Sequence, residues 1–183
     1  MKHLITGGAR SGKSTFALEQ ALALAPDGPV GFIATATALD DEMAERIRGH
    51  RAERDHRSIT FEAPIDLGPA LSDPRPAVFI VDCLTLWCSN LMFLGSSAEF
   101  LETRPDPAGF ERRVLELEVQ LLACERPVFL VTNEVGLGLV PPDPISRLYR
   151  DWLGRLNQRV ARIADRVTLM VSGVPLVIKS GHP

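Results

Sequence analysis

The chain has 183 residues, 45% of them hydrophobic, enough for one well-buried core and too few to expect two independent ones. Twenty basic residues against twenty-three acidic give a formal net charge of -3, so no global field draws the chain to nucleic acid or to an anionic membrane, and any phosphate recognition must be local. No apolar run approaches the roughly 20 residues of a membrane helix, which argues against stable membrane insertion. Cys83, Cys88 and Cys124 lack zinc-ligand spacing and read as small core residues of a reducing cytoplasm.

The first element, Leu4-Ile5-Thr6, reads as a short apolar strand, and Thr15 to Leu24, rich in Ala, Leu, Glu and Gln, reads as a helix. Between them Gly7-Gly8-Ala9-Arg10-Ser11-Gly12-Lys13-Ser14 fits the G-x-x-x-x-G-K-[ST] phosphate-binding loop in its required strand-to-helix setting. The glycines let backbone N–H groups converge on a phosphate, the helix adds the positive end of its dipole, and Lys13 brings a mobile cation to the outer phosphates. Ser14 is positioned to hold Mg2+. A nucleoside triphosphate is the expected ligand, and a leader cleaved here would take the site with it.

After the turn Pro26-Asp27-Gly28-Pro29, Val30 to Ala36 reads as a second strand, and a helix is expected from about Asp40. Asp40, Asp41 and Glu42 suit the start of that helix. Met43, Ile47 and His50 share one of its faces, with Arg51 and Arg54 adding cations nearby. By pattern, His50 is either a packed or surface histidine among solvated charges or a nucleophile. In the second case its neutral imidazole attacks phosphorus to give a phosphoramidate while arginines neutralise the oxygens. His3, His56 and His182 lack this setting.

Ala77 to Asp82 is a continuous apolar run suited to a strand covered on both faces. Asp82, at its carboxyl end, is read as a Mg2+ carboxylate, with a helix N-cap as the alternative. Gly95 to Gly109 reads as the longest irregular loop, Arg112 to Cys124 as an amphipathic helix, and Val128 to Thr132 as another buried strand. The polar end Thr132-Asn133-Glu134-Val135-Gly136 lacks the N-K-x-D guanine signature of switch GTPases, and Glu134 is a candidate base. Ile145 to Ala164 is a second amphipathic helix, followed by a strand pair, Val167 to Val171 and Leu176 to Lys179, around Gly173 and Pro175. This alternation predicts an α/β fold of P-loop NTPase type (RecA-like): a mostly parallel sheet, helices on both faces, a C-terminal strand pair, and one domain over residues 1–183. Two simpler readings stay open on the residues alone: a P-loop kinase for another small molecule with a structural His50, and a module that grips nucleotide without chemistry.

Several of these segments together carry a family resemblance. They are Ile5 to Ser14, Ile33-Ala34-Thr35-Ala36, Leu39-Asp40-Asp41-Glu42-Met43, Arg46-Ile47, His50-Arg51, Val131 to Gly136 and Asn157-Gln158-Arg159. In that order the chain resembles the bifunctional adenosylcobinamide kinase and adenosylcobinamide-phosphate guanylyltransferase of cobalamin biosynthesis, over nearly its whole length. The resemblance implies two reactions. The γ-phosphoryl group of ATP or GTP passes to the aminopropanol hydroxyl of adenosylcobinamide, and GMP from GTP is then joined to that phosphate through a guanylylated histidine, releasing pyrophosphate. It maps that histidine to His50 and implies nucleotide contacts by Arg51, Ala52, Glu53 and Arg54, by Thr35, Ala36 and Thr37, and by Glu62 and Asp82. It also implies a propeller-shaped homotrimer. The chain departs from the family at Asp55-His56-Arg57-Ser58, where relatives carry proline and then tryptophan, and at Gly49, where some carry a second histidine.

Overall fold

The computed structural model describes residues 1–37, 45, 57–93 and 105–181. Apart from Glu45, the predicted helix from Asp40 lies outside the described residues, as do His50, Arg51 to Arg54, His56, His182 and most of the expected loop from Gly95.

In chain order the elements are β1 (Lys2–Gly7), α1 (Lys13–Leu24), β2 (Val30–Ala34), β3 (Ser58–Glu62), α2 (Gly68–Leu71), β4 (Val78–Asp82) and α3 (Leu84–Phe93). They continue with α4 (Pro107–Ala123), β5 (Val128–Val131), α5 (Pro144–Ile163), β6 (Arg166–Val171) and β7 (Val174–Ser180). The strands form one sheet in the order β3-β2-β4-β5-β1-β6-β7. Every pairing is parallel except β6 with β7. The parallel sheet and terminal strand pair follow the sequence reading.

Strand alternation divides the core into two layers. Ile5, Val78, Ile80, Phe129 and Val131 face α1, where Ala17 and Ala21 pack close against the sheet. Leu4, Phe79, Val81, Val128 and Leu130 face the other way, into a larger cluster with Trp87 of α3, Leu117 of α4 and Leu156 of α5. Helices therefore cover both faces, and the central strands are apolar on both sides.

Two aspartate–proline pairs start the long helices. The Asp106 side chain accepts from Ala108 N and the Asp143 side chain from Ser146 N, with Pro107 and Pro144 opening the helices behind them. Asp at the cap satisfies an orphan N–H, and proline next to it has none to lose. The irregular stretch expected to reach Gly109 therefore ends earlier, because helix α4 begins at Pro107.

Candidate functional site

The carboxyl ends of β1, β2, β4 and β5 converge on one edge, and the phosphate loop bridges β1 to α1. Gly7 has φ 152 and Gly12 φ 88. A Cβ on Gly7 would lie 2.4 Å from the Met170 carbonyl oxygen, so glycine is required there for space as well as for backbone angle. Gly8, Ala9 and Arg10 form an exposed crown, whereas Ser11 and Lys13 are buried beneath it. The loop is tied on both sides: Glu134 N donates to Gly7 O, and Gly173 N donates to Ser11 O, each at 3.1 Å.

Lys13 is 7% exposed. Its ammonium donates to Gly8 O at 2.5 Å and to Ser11 Oγ at 3.3 Å, both within its own loop. Burial pushes its pKa below the ordinary lysine value, while the Asp82 carboxylate pulls it back up. Asp82 is thus close enough to act on Lys13 electrostatically, although β5 stands between β4 and β1 in the sheet. The carboxylate comes from a strand one removed from the phosphate-loop strand rather than from its immediate neighbour. Ser14 is half-buried on the first turn of α1.

The N-cap alternative for Asp82 falls one residue short. Cys83 immediately precedes α3, and its carbonyl accepts from Trp87 N at 3.1 Å, so the first helical turn hangs on Cys83. The Asp82–Cys83 peptide is cis. Thr35 grips it: Thr35 Oγ1 donates to Cys83 O at 2.7 Å and accepts from Cys83 N at 2.8 Å. The Thr35 carbonyl in turn accepts from Asn90 Nδ2 at 2.7 Å. Thr35 is therefore an internal brace of the Asp82 turn. Ala36 and Thr37 are half-buried just beyond it, and Thr37 Oγ1 has no hydrogen-bond partner among the described residues. Burial, reinforced by Asp82, pushes the Cys83 thiol up to about 11, so it stays protonated and unreactive near neutrality.

Glu62 lies elsewhere along the same edge. It is exposed at the end of β3, in register with Ala34, which is in turn in register with Asp82. Four inter-strand steps separate β3 from β1 in the sheet order, roughly 19 Å at the usual strand spacing. The described candidates thus fall into a phosphate-loop group with Asp82 and an outer group at the ends of β2 and β3. The segment containing His50 joins those two strands in the chain.

A polar brace unremarked in the sequence underlies the β5 end. Thr132 Oγ1 donates to Asn157 Oδ1 at 2.8 Å, Asn157 Nδ2 donates to Asn133 O at 3.0 Å, and Asn133 N donates to Thr85 Oγ1 at 2.7 Å. Tyr149 OH reaches Thr85 O at 3.1 Å. Threonine and asparagine at a strand end, with asparagine facing them from an amphipathic helix, are the signal that could have revealed it. The brace fixes the turn carrying Glu134, whose Oε1 accepts from Gly136 N at 2.6 Å.

The site can bind phosphates at the loop and supply a cation. Ser14 and Asp82 offer hydroxyl and carboxylate oxygens, hard donors suited to Mg2+ shared with phosphate oxygens.

Residues 3–178 match the family described as cobinamide kinase / cobinamide phosphate guanyltransferase. The chain is 42% identical to the bifunctional adenosylcobalamin biosynthesis protein CobU of Salmonella typhimurium, across 98% of this chain and 100% of that protein. It is 41% identical to the bifunctional adenosylcobalamin biosynthesis protein CobP of Pseudomonas aeruginosa, across 100% of this chain and 99% of that protein. In fold, it is similar to the crystal structure of a KaiC-like protein from Pyrococcus horikoshii. The TM-score is 0.52 at 14% identity, covering 92% of this chain and 71% of that one.

Proposed function

Since the chain belongs to the cobinamide kinase / cobinamide phosphate guanyltransferase family of cobalamin biosynthesis enzymes, we propose that its two reactions are divided between the phosphate-loop group and the segment containing His50. The observation that carries this reading is Lys13, buried and, among the described residues, bonded only to Gly8 and Ser11 of its own loop. Those bonds can be exchanged for phosphate oxygens without dismantling the fold.

In the kinase step the loop from Gly7 to Ser14 grips the triphosphate of ATP or GTP, and Lys13 neutralises charge on the γ-phosphoryl group as it passes to the aminopropanol hydroxyl of adenosylcobinamide. Ser14 and Asp82 would hold Mg2+, which would supply further neutralisation of the phosphate oxygens. Glu134 is the candidate to accept the hydroxyl proton. In the second step a His50 ring nitrogen attacks the α-phosphorus of GTP and pyrophosphate leaves. A phosphate oxygen of adenosylcobinamide phosphate then attacks the same phosphorus and frees the imidazole, giving adenosylcobinamide-GDP. Arg51, Ala52, Glu53, Arg54, Ala36, Thr37 and Glu62 are assigned to the guanine nucleotide in this step, with Thr35 supporting them through the Asp82 turn.

The same reading makes residues 1–183 one domain, places the enzyme in the cytoplasm and assembles it as a homotrimer, without nucleic acid as a partner. Among the described residues no helix is long and apolar enough to cross a membrane. Edge strand β7, with Val174, Leu176, Val177 and Ile178 exposed, supports self-association.

The test supplies adenosylcobinamide with ATP, then GTP, and separates the products. The expected sequence is adenosylcobinamide phosphate followed by adenosylcobinamide-GDP and pyrophosphate. A plain kinase would stop at the phosphate, and a nucleotide-sensing module would retain nucleotide and form neither product.

A further inference from the structure

β1 is flanked in the sheet by β5 and β6, so the segments leaving those strands border the phosphate loop on its two sides. The segment after β5 is pinned at both ends. At the near end Glu134 N donates to Gly7 O and Gly136 N donates to Glu134 Oε1. At the far end the Arg147 guanidinium donates to Pro141 O at 3.0 Å and to Pro142 O at 2.6 Å. Between these anchors Leu137 is 87% exposed, Leu139 96% and Val140 63%. Such side chains gain by leaving water, and here the backbone holds them out in it.

The position restricts what can cover them. Leu139 is five residues from Glu134, so it lies within about 18 Å of the residue hydrogen-bonded to the phosphate loop. A phosphoryl acceptor must bring its hydroxyl into contact with the γ-phosphoryl group. An acceptor much larger than that group has to spread over the surface bordering the loop. Among other exposed apolar residues, Leu115, Val119 and Leu122 lie on α4 and Leu176 to Ile178 run along edge strand β7, whereas Val171 and Val174 flank Gly173 on the opposite side of the loop.

We infer that Leu137, Leu139 and Val140 form the seat of the corrinoid substrate. They take the apolar, methyl-bearing periphery of the macrocycle, so that its hydroxyl-bearing arm reaches over Gly7 to the γ-phosphoryl group. The inference rests on the kinase reading above, which supplies the acceptor. The exposed backbone of Gly136 to Val140 also faces the amide side chains around the ring, matching a substrate that is apolar in body and polar at its margin.

Equilibrium dialysis with adenosylcobinamide, read beside steady-state phosphorylation, tests the seat. The double variant Leu137→Ser, Leu139→Ser should weaken cobinamide binding and raise its KM roughly tenfold or more, at unchanged Tm and unchanged KM for ATP. Leu122→Ser, a change at an exposed leucine on α4, should alter neither. Unchanged cobinamide binding in the double variant overturns the seat. So does a change of sedimentation with binding intact, which would give the leucines to a second copy of the chain. If the wild-type protein binds cobinamide but fails to phosphorylate it, the kinase reading falls while the dialysis comparison still decides the seat.

Discussion

Two lysines bracket the strand that carries the phosphate loop, and both are 7% exposed. Lys2 opens β1, and Lys13 opens α1 just past the other end. Burial lowers the pKa of each, so neither exposure nor titration distinguishes them. Their partners do. The Lys2 ammonium donates to Cys124 O at 2.5 Å and Arg126 O at 3.0 Å, far away in sequence, and so fastens the α4–β5 connection to the first strand. Among the described residues the Lys13 ammonium bonds only to carbonyl and hydroxyl oxygens of its own loop. A buried cation bonded across the fold is a fastener, whereas one bonded to a pliable local loop is available to a ligand.

Matched substitutions should separate these roles. Lys13→Met should lower kcat/KM for cobinamide phosphorylation by about a thousandfold, since a preorganised charge on the transferring group is worth roughly 3–4 kcal/mol. Its Tm should stay within a few degrees of wild type by calorimetry. Comparable activity in Lys13→Met would mean that this buried cation does not act on the phosphoryl group.

Gly7→Ala sharpens the picture from the backbone side. The added methyl meets the Met170 carbonyl at 2.4 Å in a backbone conformation that favours glycine. Nucleotide affinity should fall at least tenfold, with a loss of stability of about 1–3 kcal/mol, measured by titration calorimetry and urea unfolding.

Lys2→Met should do the reverse of Lys13→Met. It strands two carbonyl oxygens at the amino-terminal edge and should cost about 1–3 kcal/mol, seen as a lowered urea midpoint, with kcat near wild type in the folded protein.

A pH dependence lies beside Lys2. His3 is buried against Phe129, shares a 2.8 Å hydrogen bond with Thr168 Oγ1, and is held by burial at about 4 against an ordinary 6.5. The unfolded chain therefore binds the extra proton first, so stability is full above about 6.5 and falls as the pH drops toward 4. His3→Gln should flatten that part of the Tm profile. An unchanged slope would mean that other groups set it.

What could be read from the sequence follows the same distinction between local and distant partners. The phosphate loop was legible because its chemistry is written in eight consecutive residues, Gly7 to Ser14, and the structure presents them between a strand and a helix. β4 and β5 were legible because burial on both faces leaves an uninterrupted apolar run. β3 was not: Ser58 to Glu62 is an edge strand, exposed or half-buried throughout, and carries little pattern. α3 was also missed as an element, because apolar residues surround it on most sides and leave no amphipathic stripe. The insertion of β5 between β4 and β1, the Thr35 grip on Cys83, and the Thr132–Asn157–Thr85 brace depend on residues 24 to 126 positions apart, which no local pattern connects. His50 and Arg51 to Arg54 rest on the family resemblance and lie outside the described residues.

The division of labour between Lys13 and His50 is tested most directly by incubating wild type and His50→Ala with GTP radiolabelled at the α-phosphate, while following cobinamide phosphorylation in parallel. Wild type should retain an acid-labile, hydroxylamine-resistant label, whereas His50→Ala should retain none and still phosphorylate cobinamide. A His50→Ala protein that carries the label as wild type does would contradict the account.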